Sequence, residues 1–381
     1  MSKKPLIILF DANSLARKKS GVGYYVDLLI RSLSETGGDE IKLVGHYFNF
    51  LGKKNITDLP TGKNIRYVQS RVMPGKILSL CRKLGFQPPY EIFTRTRGDI
   101  LLFGNYVILP SFFKSKKIAV VHDLGFIDYP QFISTKNLNF LREWVPRTMR
   151  NADMVITISG FTKNRIIENF GLPENKLHIT PIPPVINPPS PTGSIDRFNI
   201  PDKFILFIGT IEPRKNIGAL LSAYEQLSDK LKSNYALVLA GGKGWNDQEI
   251  LEKIEELQSS GLNIIMTGYV SDDERALLFE KTTLYIQPSI YEGFGMPILE
   301  AMSYGKPVIC SDIEVFHEVA GDSVVYFDKD DTLSLTNAVQ YLLEDGAAYK
   351  DYADRSKVHL RGLETWDEIA RKLLNKFRDL P

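Results

Sequence analysis

Short apolar runs rich in β-branched residues alternate with helical patterns from one end of this 381-residue chain to the other. The first half reads LIILFDA, IKLVGHYF, IRYVQS, ILLFGN, IAVVHDL and MVITIS, separated by helix candidates such as GVGYYVDLLIRSLSE and NLNFLREWVPRTMRN. The second half repeats the scheme with FILFIGT, YALVLAGG, NIIMTGYV, LYIQPS, PVICSD and SVVYFD. Strands without polar alternation are buried on both faces, so each half predicts a parallel sheet covered by helices. The length is too great for one ordinary core, which also argues for two domains.

The break between them is a proline-dense stretch, TPIPPVINPPSPTGSIDRF at 180–198, which can continue neither a helix nor a strand. The expected domains are therefore 1–187 and 188–363, each a doubly wound Rossmann-like unit. TWDEIARKLLNKFRDL at the end reads as an amphipathic helix, about 364–381, whose apolar face could pack back onto the first domain. In doubly wound sheets ligands bind beyond the carboxyl ends of the strands, so two such domains facing across a cleft place the active site there.

Composition excludes several classes. No segment approaches the roughly 18–20 uninterrupted apolar residues needed to span a membrane, and MSKKPLIILFDAN reads as a first strand and not a signal peptide. Cys81 and Cys310 make no metal-ligand spacing and read as buried thiols of a reducing cytoplasm. The net charge of +2 hides a split. Residues 1–186 carry 27 Lys and Arg against 14 Asp and Glu, whereas the remainder carries 20 against 31. Basic runs ARKKS, GKKN and KSKK lie in the positive half, which favours an anionic acceptor or membrane surface near that domain.

The densest chemistry lies at 284–310. A buried strand LYIQPS leads into the loop IYEGFGM, then Pro297 as a first helical residue, a short helix ILEAMSY, Gly305 as its stop, and the strand KPVIC. Glycines 293 and 295 allow close backbone approach, and the helix N-terminus suits a diphosphate. Glu300 near that phosphate site would bind neutral ribose hydroxyls, and Glu292 on the loop would face whatever lies beyond the phosphates. Arg214 and Lys215 in FIGTIEPRKN stand at the carboxyl end of another first strand, where an anion would bind. VLAGGKG and TGYVSDDE are further strand-end loops.

YEGFGMPILEAMSYGKPVI resembles the signature of the family-four (group 1) glycosyltransferases, which have the GT-B fold. The resemblance runs through GTIEPRKN, LAGG, TGYVSDDE and EVAGDSVVYFD, and more loosely through SGVGYY, VVHDL and ITISGFTKN. It implies that Lys215, with Arg214 beside it, holds the donor diphosphate and that Glu300 holds the ribose. Glu292 and the amides of Gly293, Phe294, Gly295 and Met296 would hold the transferred sugar, with Pro297, Ile298 and Leu299 completing the donor-binding segment. Tyr269 and Val270 would lie beside the nucleobase with Gly242 near it. His122 would sit by the sugar–phosphate bond, and Gly21 and Gly23 would form a first-domain loop approaching the phosphates. Many members carry arginine where this chain has Thr210, so that part of the phosphate clamp differs here, with Arg214 as the candidate replacement.

The implied reaction is retaining transfer of a hexosyl group, of mannose or glucose type, from a nucleoside diphosphate sugar to a hydroxyl of a glycan or lipid-linked acceptor. Such enzymes serve surface-polysaccharide or glycoconjugate synthesis. HDLGFIDYP and GTIEPRKN resemble mannosyltransferases of surface-polysaccharide assembly, which implies GDP-mannose, with a UDP-hexose as the other donor. No metal or other cofactor is required. FDKDD at 327–331 is explained by turn and N-cap chemistry. The expected location is cytoplasmic, with peripheral contact at an anionic membrane face and no nucleic-acid partner.

A glycoside hydrolase is disfavoured because Glu292 and Glu300 share one loop-helix unit instead of flanking a bond. A dinucleotide oxidoreductase is disfavoured because SGVGYY lacks the full G-x-G-x-x-G and IKLVGHYF ends in aromatics. A non-catalytic sugar-nucleotide-binding partner of another transferase remains as the alternative class.

Overall fold

The computed structural model describes residues 4–16, 20–49, 58–71, 81, 85–186, 188 and 190–380. Two of the three basic runs, ARKKS and GKKN, fall wholly or partly outside them. The chain divides into two compact units, residues 1–124, 139–183 and 364–381 forming one and 125–138 with 184–363 the other.

The first unit carries a seven-stranded sheet: β1 Leu6–Asp11, β2 Ile41–Phe48, β3 Ile65–Ser70, β4 Ile100–Phe103, β5 Lys116–Val121, β6 Met154–Thr157 and β7 Leu177–Ile179. Their order is β3-β2-β1-β4-β5-β6-β7, and every pairing is parallel. The second unit carries β8 Phe204–Ile208, β9 Ala236–Ala240, β10 Ile264–Gly268, β11 Leu284–Gln287, β12 Val308–Ser311 and β13 Val325–Phe327. They run β10-β9-β8-β11-β12-β13, again all parallel. Both sheets thus reverse direction once, at β1/β4 and at β8/β11. These are the topological switch points at which doubly wound folds open a crevice.

The central strands are as buried as their unbroken apolar sequences require; every residue of β4, β8, β9, β11 and β12 is buried. The core of the second unit joins these strands to the inner faces of its helices, through Leu220, Leu221, Ile254, Val339 and Leu342. Twelve strands lie where the apolar runs place them. The thirteenth, β7, is a three-residue edge strand containing a histidine, too short and too polar to stand out in the pattern.

Helix Trp366–Asp379 belongs to the first unit. It begins with a Thr365–Glu368 capping box and buries Ile369, Ala370, Leu373, Leu374 and Phe377 along one stripe. It packs on helix Gly21–Gly37, where Ser32 Oγ donates to the Trp366 carbonyl at 2.7 Å and Thr36 Oγ1 to Asp367 at 2.9 Å. Residues 125–138 group with the second unit although the sequence reading assigns them to the first. That segment follows β5 and shows no composition break. Among the described residues no helix is long and apolar enough to cross a membrane.

Candidate active site

The charge cluster forms at the β8/β11 switch point. After β8 the chain makes a single 3-10 turn over Pro213–Lys215, ended by Asn216 in the left-handed region. The Arg214 carbonyl accepts from the Ile290 amide at 2.9 Å, which ties this turn to the loop after β11. The two basic residues are thereby laid against Glu292, although 77 and 78 positions separate them in sequence.

Glu292 is 8% exposed and bound on both oxygens. Arg214 Nη1 donates to Oε2 at 2.9 Å and to the Tyr291 carbonyl at 2.9 Å. Lys215 Nζ forms an ion pair with Oε1, which also accepts from Ser289 Oγ at 2.8 Å and Gln287 Nε2 at 3.2 Å. Burial alone would raise this carboxyl group, but the Lys215 and Arg214 charges, with the Lys215 and Ser289 hydrogen bonds, bring it down to about 2. Glu292 is thus a fixed carboxylate. Near neutrality it is a poor proton donor and a weak base, suited to orienting hydroxyls and stabilising positive charge. Arg214 also pairs with Glu212, at 2.9 Å from Nη2 and 3.1 Å from Nε.

The loop reaches its helix through Gly295, at φ +108°, where a Cβ would stand 2.7 Å from Phe316 Cε1. Only glycine fits there. Helix Met296–Ser303 starts one residue earlier than Pro297, has no side-chain cap and no acidic residue in its first turn, and ends before Gly305 at φ +66°. Its N-terminal dipole is therefore open to an anion. Phe294, Ile298 and Leu299 are buried, so a ligand could meet these three residues only through their backbone, whereas Met296 and Pro297 are half-buried.

Glu300 occupies the fifth helical position and forms an ion pair with Arg275, which extends from helix Asp272–Lys281. Burial raises its pKa, opposed by the Arg275 charge. The sequence reading did not foresee Arg275. A ribose bound to Glu300 would share the carboxylate with that guanidinium.

The other strand-end loops lie on the same carboxyl edge. Thr210 and Gly242 lie on adjoining segments, with the Ile211 amide donating to the Gly242 carbonyl at 3.0 Å. Next to them, a Cβ on Gly241 would fall 1.8 Å from the Gly209 carbonyl oxygen. This close approach of the two loops explains the first glycine of the pair in VLAGG, whereas a Cβ on Gly242 would meet nothing. Tyr269 follows β10 and is 45% exposed, whereas Val270 is buried.

In the first unit His122 follows β5. Its Nε2 lies 2.8 Å from the Gly104 carbonyl, so Nε2 carries the proton, and the Tyr25 ring meets it edge-on at 5.3 Å. Burial lowers its pKa, so the imidazole is neutral near pH 7. Gly21 and Gly23 are not in a loop, as expected from sequence, but in the first turn of helix Gly21–Gly37. Ser20 supplies the N-cap position and the helix starts immediately.

Among the described residues no group of three or more His, Cys, Asp or Glu could hold a metal ion. Two of the three FDKDD aspartates serve the backbone, Asp328 accepting from the Asp330 amide at 3.0 Å and Asp331 capping the next helix through Leu333 at 2.9 Å, while Asp330 pairs with Lys329. The sequence reading also missed Gln287 and Ser289, both wholly buried, which hold Glu292. The signal was present. Polar residues ending an otherwise apolar buried strand must have partners.

Two family models match this chain, Glycosyltransferase Family 4 over residues 19–185 and Glycosyl transferases group 1 over residues 195–359. O-antigen chain mannosyltransferase B of Escherichia coli is 26% identical over 390 residues, covering 97% of this chain and 99% of that protein. Among solved structures, the sucrose-phosphate synthase of Thermosynechococcus elongatus superposes with a TM-score of 0.74 at 18% identity, over 98% of this chain and 99% of that one. Anabaena Alr3699/HepE, in complex with UDP and glucose, superposes with a TM-score of 0.70 at 17% identity, over 98% and 100%. With one model on each half of a GT-B fold, the chain belongs to the group 1 glycosyltransferases and carries a family-four first domain.

Proposed function

We propose that this enzyme transfers a mannosyl group from a nucleoside diphosphate mannose, GDP-mannose first, to a hydroxyl of a glycan or lipid-linked acceptor in surface-polysaccharide synthesis. The observation that carries the reading is the Arg214–Lys215–Glu292 cluster beside an uncapped helix N-terminus at the β8/β11 switch point. Two cations and a helix dipole suit a leaving diphosphate. The fixed carboxylate between them suits a sugar that gains positive charge as the bond to phosphate breaks.

In the proposed reaction the bond from the anomeric carbon to the diphosphate oxygen breaks as the acceptor oxygen bonds to the same face of that carbon. The acceptor proton passes to the departing phosphate, so the anomeric configuration is retained and no protein nucleophile is needed. Arg214 and Lys215 stabilise the phosphate charge. Glu300 binds ribose hydroxyls, Tyr269 and Val270 flank the base, and neutral His122, whose Nε2–H is held by the Gly104 carbonyl, accepts a hydrogen bond from a sugar hydroxyl through Nδ1. No metal is required in this scheme, since cationic side chains and backbone amides carry the charge.

The mannosyl assignment follows the Escherichia coli relative, and the UDP- and glucose-bearing Anabaena structure keeps UDP-glucose in the comparison. The basic first half favours action at the anionic cytoplasmic face of a membrane. A calorimetric donor screen tests the reading. GDP-mannose should bind more tightly than UDP-glucose, and the anomer formed in the product should match that of the donor. Tighter binding of UDP-glucose would overturn the donor assignment, and an inverted product would overturn the mechanism.

A further inference from the structure

Two adjacent phenylalanines of the first unit, Phe112 and Phe113, are 65% and 45% exposed, and Ile92 is 47% exposed. Apolar side chains so exposed are ordinary singly, but these three are brought together by a built structure. The Tyr90 amide donates to the Pro110 carbonyl at 2.9 Å and the Phe112 amide to Glu91 Oε2 at 3.2 Å, while Ser111 Oγ bonds the other oxygen of the buried Glu91. Ser115 Oγ donates to the Gly98 carbonyl at 2.7 Å, and the Arg97 guanidinium lies 5.1 Å from the Phe113 ring centroid. Segments 90–99 and 110–117 are clasped, and the apolar tips point outward among Arg95, Arg97 and Lys114, all exposed.

These segments lead into the amino ends of β4 and β5. On the same edge, ahead of β6 and β7, a pocket of about 240 Å³ has Met149, Phe170 and Leu172 in its lining together with Arg150 and Lys176. His122 and the helix at Gly21 stand at the opposite, carboxyl edge. The six residues of β5 alone separate the two ends by roughly 20 Å. This edge is therefore remote from the chemistry.

We propose that the amino edge of the first sheet, centred on Ile92, Phe112, Phe113 and Lys114, docks on an anionic lipid surface. Exposed rings ringed by cations match an interface of acyl chains beneath phosphate headgroups. A second copy of the chain is a poorer occupant, because the same cations would meet each other. The proposal rests on the membrane contact inferred above and says where that contact is made.

The test is sedimentation of the full chain with vesicles of phosphatidylglycerol and phosphatidylcholine, and with phosphatidylcholine alone. The wild type should partition onto the anionic vesicles only. F112S/F113S should lower that partitioning about tenfold or more, and K114E at least about fivefold. K230E, an exposed charge reversal on the second unit, should leave it unchanged, and donor affinity should be unchanged in every variant. If the wild type binds and the patch variants bind equally, this face is wrong while the membrane contact stands. If the wild type does not bind, the membrane contact itself fails and the docking face with it.

Discussion

The two sheets share a strand order and a switch point, yet they treat charge in opposite ways. At β8/β11 two cations and two carboxylates, Arg214, Lys215, Glu212 and Glu292, are gathered within hydrogen-bond reach. Beside β1/β4 the central group is His122, buried, neutral and bound to the Gly104 carbonyl. One topology thus makes two crevices with different chemistry. The charged one holds its two cations on two carboxylates beside a helix N-terminus without a side-chain cap. The neutral one can accept a hydrogen bond without adding charge, which suits a hydroxyl of a neutral sugar or acceptor.

That contrast can be broken by substitution. The largest effect is expected for Lys215→Ala, which removes a cation from the diphosphate and leaves Glu292 half-paired. Turnover per bound donor should fall by about 100- to 1000-fold, and donor affinity should fall with it. His122→Ala should lower kcat by about tenfold while leaving the donor dissociation constant near the wild-type value. Equal losses in both would mean that the two crevices are not specialised. Glu300→Ala should weaken donor binding by about tenfold with little change in kcat, because a ribose contact serves ground state and transition state alike. Unchanged affinity would remove Glu300 from the ribose.

The smallest effect is on the pH dependence of stability. The folded pKa of Glu292 is about 2, below its ordinary value of 4.5, so its contribution is fully present above 4.5 and is lost as pH falls toward 2. His122 has the same sign at higher pH: its depressed pKa favours the fold above about 6.5 and less so below. Glu300, pushed up, acts in the opposite direction. Urea unfolding from pH 6 to pH 2 should therefore show a shallower acid decline in Glu292→Gln than in the wild type. An identical decline would place the acid sensitivity elsewhere.

The scaffold was more legible in sequence than the site. Unbroken runs such as FILFI and ALVLA can only be buried parallel strands, and the PPVINPP region can continue none, so the alternation was readable without tertiary information. The glycine loop and its helix were also local features. Partners far apart in sequence were not. Arg275 meets Glu300 only because two helices pack together, and Arg214 meets Glu292 only because β8 and β11 are neighbours across the switch. The family resemblance implies a loop at Gly21 and Gly23, but the periodic pattern of GVGYYVDLLIRSLSE marks a helix there, and the helix does start at Gly21. Residues 125–138 group with the second unit through contacts that no composition shift announces.

Glu292→Gln tests the central claim most directly, because it keeps the shape of the site and removes the one carboxylate that both cations share. The variant should bind GDP at least as tightly as the wild type, since Lys215 and Arg214 lose a competing anion, yet transfer the sugar at least about 100-fold more slowly. Turnover equal to the wild type, with GDP affinity unchanged, would contradict the assignment of Glu292 to the transferred sugar.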